Sequence, residues 1–174
     1  MRWRIAVAVA AAGLVSACTT AVSGTPQPAP GRVTVTPAPS TDPCTLLTID
    51  EAASLGLGAG TSIPVDPKLG LPASCDWLPP GPDGNRDDSL QAYFHTGQSI
   101  EEYFAMEPAG EEHLGGITWQ RYSYSMGYWM CELAAKFGEH EFVVIASRNW
   151  SDESKACVVA DRAAPSVAGH LPHR

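Results

Sequence analysis

Five cysteines fall into two groups in this chain, and that division constrains its fold more than any other feature. Cys18 stands alone near the amino end; Cys44, Cys75, Cys131 and Cys157 are spread through the rest. An even set of four in an exported domain reads as two disulfides. No C-x-x-C and no Cys/His cluster at zinc spacing is present, so no metal is expected.

The export reading rests on the order of residues before Cys18. Arg2 and Arg4 precede an apolar run from Ile5 to Val15, which Ser16, Ala17 and Cys18 follow. The run is about 11 residues, a signal-peptide length and well short of the roughly 20 of a spanning helix. Val15-Ser16-Ala17-Cys18 resembles the bacterial lipobox. On that reading residues 1–17 are a lipoprotein signal peptide. Cys18 carries a diacylglyceryl group and anchors the chain at the outer face of the cytoplasmic membrane. Two acyl chains are enough for stable anchoring where one is not.

Residues 18–41 are rich in Pro, Thr and Ser without a hydrophobic period, which reads as a tether. A domain over residues 42–174 follows. The chain carries a formal charge of −8 and no basic run, so nucleic acid is not an expected partner.

Within the domain, Asp42-Pro43 opens a helical turn, and Thr48 with Glu51 forms a capping box for a helix that Gly56 stops. A long loop rich in Gly and Pro runs to Pro72. Its GLGAGT segment follows a helix, not a strand, so it is not read as a phosphate loop. Residues 74–78 and 89–96 read as strands, separated by a turn cluster. Asp83, Asn85 and Asp87 imitate a calcium loop there, but Asp88 and Phe94 stand where such a loop needs Gly and Glu. Ser99 and Glu102 cap a helix ending before Pro108. Residues 117–124 and 128–136 read as a hairpin, and 141–148 as a central strand. The last helix starts near Asp152, with Ala156, Val159, Ala160, Ala163 and Ala164 as its apolar stripe. Pro165 should end or kink it, and residues 169–174 read as tail. The class is α+β: an antiparallel sheet of about five strands, helices on one face, and two disulfides.

Four cysteines allow three connectivities. The faces favour Cys44–Cys75 and Cys131–Cys157, because Cys131 points inward from its strand and Cys157 sits on the packing side of the last helix.

The lipobox, the tether and the segment Asp42-Pro43-Cys44-Thr45-Leu46-Leu47-Thr48, followed by Glu51-Ala52-Ala53 and Leu55-Gly56, resemble the start of an actinobacterial lipoprotein family, domain of unknown function 3558. Cys75-Asp76-Trp77 is similar to its Cys-x-Trp strand. Cys131 and Cys157 sit where the family places its second cysteine pair. The resemblance spans residues 42–172 and implies a cell-envelope lipoprotein, with no catalytic residue carried over.

No nucleophile elbow and no H-E-x-x-H is present. Glu112-His113 and Glu139-His140-Glu141 read as loop edges, and Glu101-Glu102 and Glu111-Glu112 as solvated or helix-start charges. No catalytic residue and no cofactor is assigned. The unusual density is aromatic: Trp119, Tyr122, Tyr124, Tyr128 and Trp129 crowd one hairpin. Most belong to a core, yet one small hairpin cannot hide them all on both faces. Trp119, Tyr122, Tyr124 and Tyr128 are therefore the candidate binding surface, for an envelope protein, a glycan or a lipid. The leading expectation is a non-catalytic binding or accessory module. The alternatives are an enzyme of the cell wall or its lipids, and a carrier of an apolar ligand.

Overall fold

The computed structural model describes residues 42–81 and 86–171. The expected signal peptide, Cys18, the tether, Asp83, Asn85 and His173 lie outside them. Short-range signals hold well. Asp42 caps a 3-10 turn over Pro43–Leu46 by accepting from the Cys44 N–H. Thr48 and Glu51 complete their capping box on α1 (Ile49–Ser54), and Gly56 leaves the helix at φ +82°. Ser99 and Glu102 do the same for α2 (Ile100–Phe104).

Seven strands form one antiparallel sheet: β1 (Thr61–Ile63), β2 (Ser74–Trp77), β3 (Leu90–Thr96), β4 (Gly110–Leu114), β5 (Ile117–Ser125), β6 (Trp129–Gly138) and β7 (Glu141–Asn149). Their order is β1-β2-β3-β7-β6-β5-β4, with β7 central as its apolar run requires. The sheet therefore exceeds the expected five strands by its two edges. β1 is exposed at all three positions, and β4 reads Gly-Glu-Glu-His-Leu. Edge strands bury little and need backbone pairing more than apolar alternation, so neither announces itself in sequence. Glu112-His113 accordingly sits on edge strand β4 instead of in a loop.

Alternation sorts the side chains into two layers. Cys75, Trp77, Leu90, Ala92, Trp119, Leu133, Ala135, Val143 and Ile145 face α4 (Val158–His170), where Val159, Ala160, Ala163, Ala164 and Val167 meet them. Tyr93, Tyr122, Ala134, Phe142 and Val144 face the other way and pack with Ile100, Tyr103 and Phe104 around α2. Helices thus cover both faces and not one. A sheet whose central strands are apolar on both sides must bury both, and α2, though only five residues long, brings three large side chains to the second face.

The terminal helix differs from expectation in two ways. It is broken at Cys157, with α3 (Glu153–Ala156) before the break and α4 after it. It then runs through Pro165 to His170, so residues 169 and 170 are helix and not tail. Pro165 itself is exposed, while Ala163, Ala164, Val167 and Ala168 around it are buried. Burial of that stripe outweighs the hydrogen bond that Pro165 cannot donate. At the far end His170 Nε2 lies 2.8 Å from Glu51 Oε2 of α1.

Both disulfides form as the faces indicate. Cys44–Cys75 ties the 3-10 turn to β2, and Cys131–Cys157 ties β6 to the α3–α4 junction. The Gly-rich loop has a packing explanation. A Cβ at Gly60 would come within 2.7 Å of Cys75 Sγ and Trp77 Nε1, and the Gly58 N–H donates to Leu78 O at 2.7 Å. The missing side chain at Gly60 lets the chain cross the first disulfide.

Candidate functional site

A cleft of about 840 Å³ opens on the α2 side of the sheet. Its walls are the segment between β1 and β2, which includes Val65, Asp66, Lys68 and Leu71, and the tip of the β5–β6 hairpin at Tyr124, Met126 and Tyr128. Two local devices shape it. The Asp66–Leu71 backbone pair closes the wall segment into a turn, inside which Asp66 Oδ1 accepts from the Lys68 and Leu69 amides. At the hairpin, Gly127 takes φ +84° and the Met126 N–H donates to Tyr128 O.

Glu132 lies at the floor. Alternation along β6 turns Cys131 and Leu133 toward α4 and Glu132 to the other face, paired across the sheet with Tyr122 and Ala146. Its residue exposure is 6 %. Tyr93 donates to Oε1 and Tyr124 to Oε2, each at 3.0 Å. The Tyr93 and Tyr103 hydroxyls lie 3.2 Å apart, extending the network toward α2. Burial pushes the Glu132 carboxyl above its ordinary range, although the two tyrosine hydrogen bonds pull the other way. Burial and the nearby Glu132 charge likewise raise the Tyr93 and Tyr124 hydroxyls. The upper rim is apolar: Ile63, Val65, Leu71 and Met126 are all exposed there.

The four aromatic candidates separate. Trp119 is fully buried against α4 with its Nε1 donating to Leu114 O, so it belongs to the core and not to a surface. Tyr122 is 1 % exposed because Phe104 lies against it, which also removes it from the surface. Tyr124 and Tyr128 do line the cleft, joined by Tyr93 and Tyr103 from other elements. Tyr128 is further held against Trp150, ring centroids 4.8 Å apart. Sequence reasoning missed Glu132. Its signal was a carboxylate in the middle of the otherwise apolar strand segment Cys131–Ala135, a place where a charge needs a reason.

The other charged pairs are structural. Arg121 reaches Asp161 at 2.7 Å and Glu112 at 3.2 Å, joining β5 to α4 and β4. Glu101 pairs with Lys136 at 2.8 Å, and that hydrogen bond lowers its carboxyl to about 2. His95 packs between Tyr103 and Phe142, its pKa lowered by burial. The His140 carbonyl accepts from the Gly97 N–H. The four domain cysteines are all engaged in disulfides. Among the described residues no group of three or more His, Cys, Asp or Glu converges on a metal position. No helix among them is long and apolar enough to cross a membrane.

Residues 13–170 match the family described as "Protein of unknown function (DUF3558)". The chain belongs to that family. The match takes in both disulfides, β1 to β7 and the whole of the cleft. No curated protein and no solved structure matches the chain. The cleft in this DUF3558 domain must therefore be interpreted from its own chemistry.

Proposed function

We propose that the chain is a lipid-anchored lipoprotein of the cell envelope whose domain is a non-catalytic binding module, with the cleft above Glu132 as its binding site. One observation carries the reading: a hydrogen-bonding floor of Glu132, Tyr93 and Tyr124 beneath an exposed apolar rim. Concave sites with mostly apolar walls and a few converging polar groups are the usual form of small-ligand sites. The aromatic contribution expected of the hairpin survives in Tyr124 and Tyr128, now as one wall of a groove. Anchoring rests on the lipobox order before Cys18, with the Pro/Thr segment as spacer.

A catalytic reading is weaker. Both Glu132 oxygens already accept tyrosine hydrogen bonds, which suits holding a group better than shuttling protons, and Asp66 is engaged by its own loop amides.

A neutral apolar dye, N-phenyl-1-naphthylamine, tests the cleft. Its fluorescence should rise on mixing with the full chain and fall about tenfold in apparent affinity for Val65→Asp/Met126→Asp. No dye binding, or equal binding by both proteins, overturns the cleft as the site. Cys18→Ser should shift the chain from the membrane fraction to the soluble fraction; continued membrane retention overturns the anchor.

A further inference from the structure

The cleft holds a negative group in a place where a charge is costly. Glu132 is buried on a central strand pair, and its two hydrogen bonds come from neutral hydroxyls. Among the described residues no ion pair to Lys, Arg or His reaches it; Arg121, Lys136, Lys155 and His170 pair with other carboxylates. Hydrogen bonds alone offset only part of the cost of burying a carboxylate, and a counter-ion normally supplies the rest. The open side of Glu132 is the cleft.

The walls point to the shape of that counter-ion. Tyr93, Tyr103, Tyr124 and Tyr128 line the same cleft as the floor carboxylate, and aromatic faces attract cations through the ring quadrupole, as the Arg148 guanidinium 6.0 Å from the Tyr128 centroid illustrates. Above them Ile63, Val65, Leu71 and Met126 offer an apolar band at the entrance. The second acidic group of the wall, Asp66, is turned into its own loop. Lys68 is the cationic member of the wall; it lies on the exposed segment between β1 and β2, and none of the ion pairs among the described residues joins it to Glu132.

Resting on the cleft reading above, we propose that its ligand is an amphipathic cation: a protonated amine set on a small apolar body, the ammonium donating to the Glu132 carboxylate among the tyrosine rings and the apolar part lying along the rim. An ammonium supplies both missing elements, opposite charge and hydrogen-bond donors, while a sugar would leave the apolar rim uncovered and a fatty acid would set two carboxylates together.

Displacement of N-phenyl-1-naphthylamine from the full chain by three probes of one size tests this: 2-phenylethylammonium, 2-phenylethanol and phenylacetate. At pH 7.5 the ammonium should compete about tenfold or more better than the alcohol, the worth of a charge-assisted hydrogen bond, with phenylacetate weakest. Glu132→Gln should bring the three probes together when each probe's competition is scored relative to the variant's own dye affinity. A second measurement needs no variant. The ammonium's advantage over the alcohol should shrink severalfold between pH 8 and pH 4 as the floor carboxyl takes up a proton. Tyr93, Tyr103, Tyr124, Tyr128, Asp66 and Lys68 are the titratable groups sharing the cleft with Glu132, and Asp66→Asn should leave that shift unchanged. Equal competition by ammonium and alcohol with intact dye binding overturns the cation assignment and leaves the cleft standing. Failure of the dye and of all three probes to bind overturns both.

Discussion

Phe104 lies flat against Tyr122, with ring centroids 3.7 Å apart and planes 4° from parallel. That contact joins α2, a helix of five residues, to the middle of β5, and it turns a tyrosine on the second sheet face into a buried one. Phe104→Ala removes the cover. Full burial of a Phe is worth about 3–5 kcal/mol against Ala, and Phe104 is only partly buried, so about 2 kcal/mol should be lost. A lower urea midpoint at unchanged slope would show it. An unchanged midpoint would mean that α2 does not hold the second face.

The two disulfides close loops with sequence separations of 31 and 26 residues. The chain-entropy relation gives about 3.5 kcal/mol for either bond. Replacing Cys131 and Cys157 together by Ala should therefore lower stability by about that much in guanidinium unfolding, and replacing Cys44 and Cys75 by a similar amount. Because the bonds lie at different junctions, the losses should nearly add.

Glu132 makes stability depend on pH in a defined direction. Its carboxyl is raised in the folded state above the ordinary value of 4.5, so the native fold favours the protonated form. That contribution is fully present below the unfolded value and is lost as pH rises through the folded one. Glu132→Gln removes the dependence. The variant should gain in Tm relative to the parent at pH 8, and the gap should close toward pH 4. A gap that does not change with pH would mean that the carboxylate is not penalised in the fold.

Pro165 sits inside α4 on its exposed side. A proline in a helix interior costs about 3 kcal/mol against Ala, from which the unfolded-state gain of up to about 1 kcal/mol must be subtracted. Pro165→Ala should thus stabilise the domain by about 2–3 kcal/mol, read as a higher midpoint in thermal unfolding. Gly115 is the counterpart. Its φ is +63°, and a Cβ there would lie 2.7 Å from both Pro165 Cα and Ala168 Cβ. Gly115→Ala should destabilise by more than about 1 kcal/mol in the same thermal assay.

What the amino-acid order determined by itself is local or binary. Asp42, Thr48 with Glu51, and Ser99 with Glu102 act on amides two or three residues away, so their caps were legible as written. Alternation placed Cys131 and Trp129 on one strand face and separated Trp119 from Tyr122, and the even cysteine count implied two bonds. The outcomes that escaped are those in which distant segments compete for one surface. β1 and β4 exist through pairing with neighbours and bury almost nothing. Pro165 remains helical because packing on the sheet outweighs its local preference. Tyr122 is buried by a phenylalanine 18 positions earlier, and Glu132 acquires partners only when β3 and β5 bring Tyr93 and Tyr124 beside it. Periodicity says which way a side chain points. Only the tertiary structure decides what meets it there, because burial and desolvation are properties of the assembled surfaces and not of the strand that carries the residue.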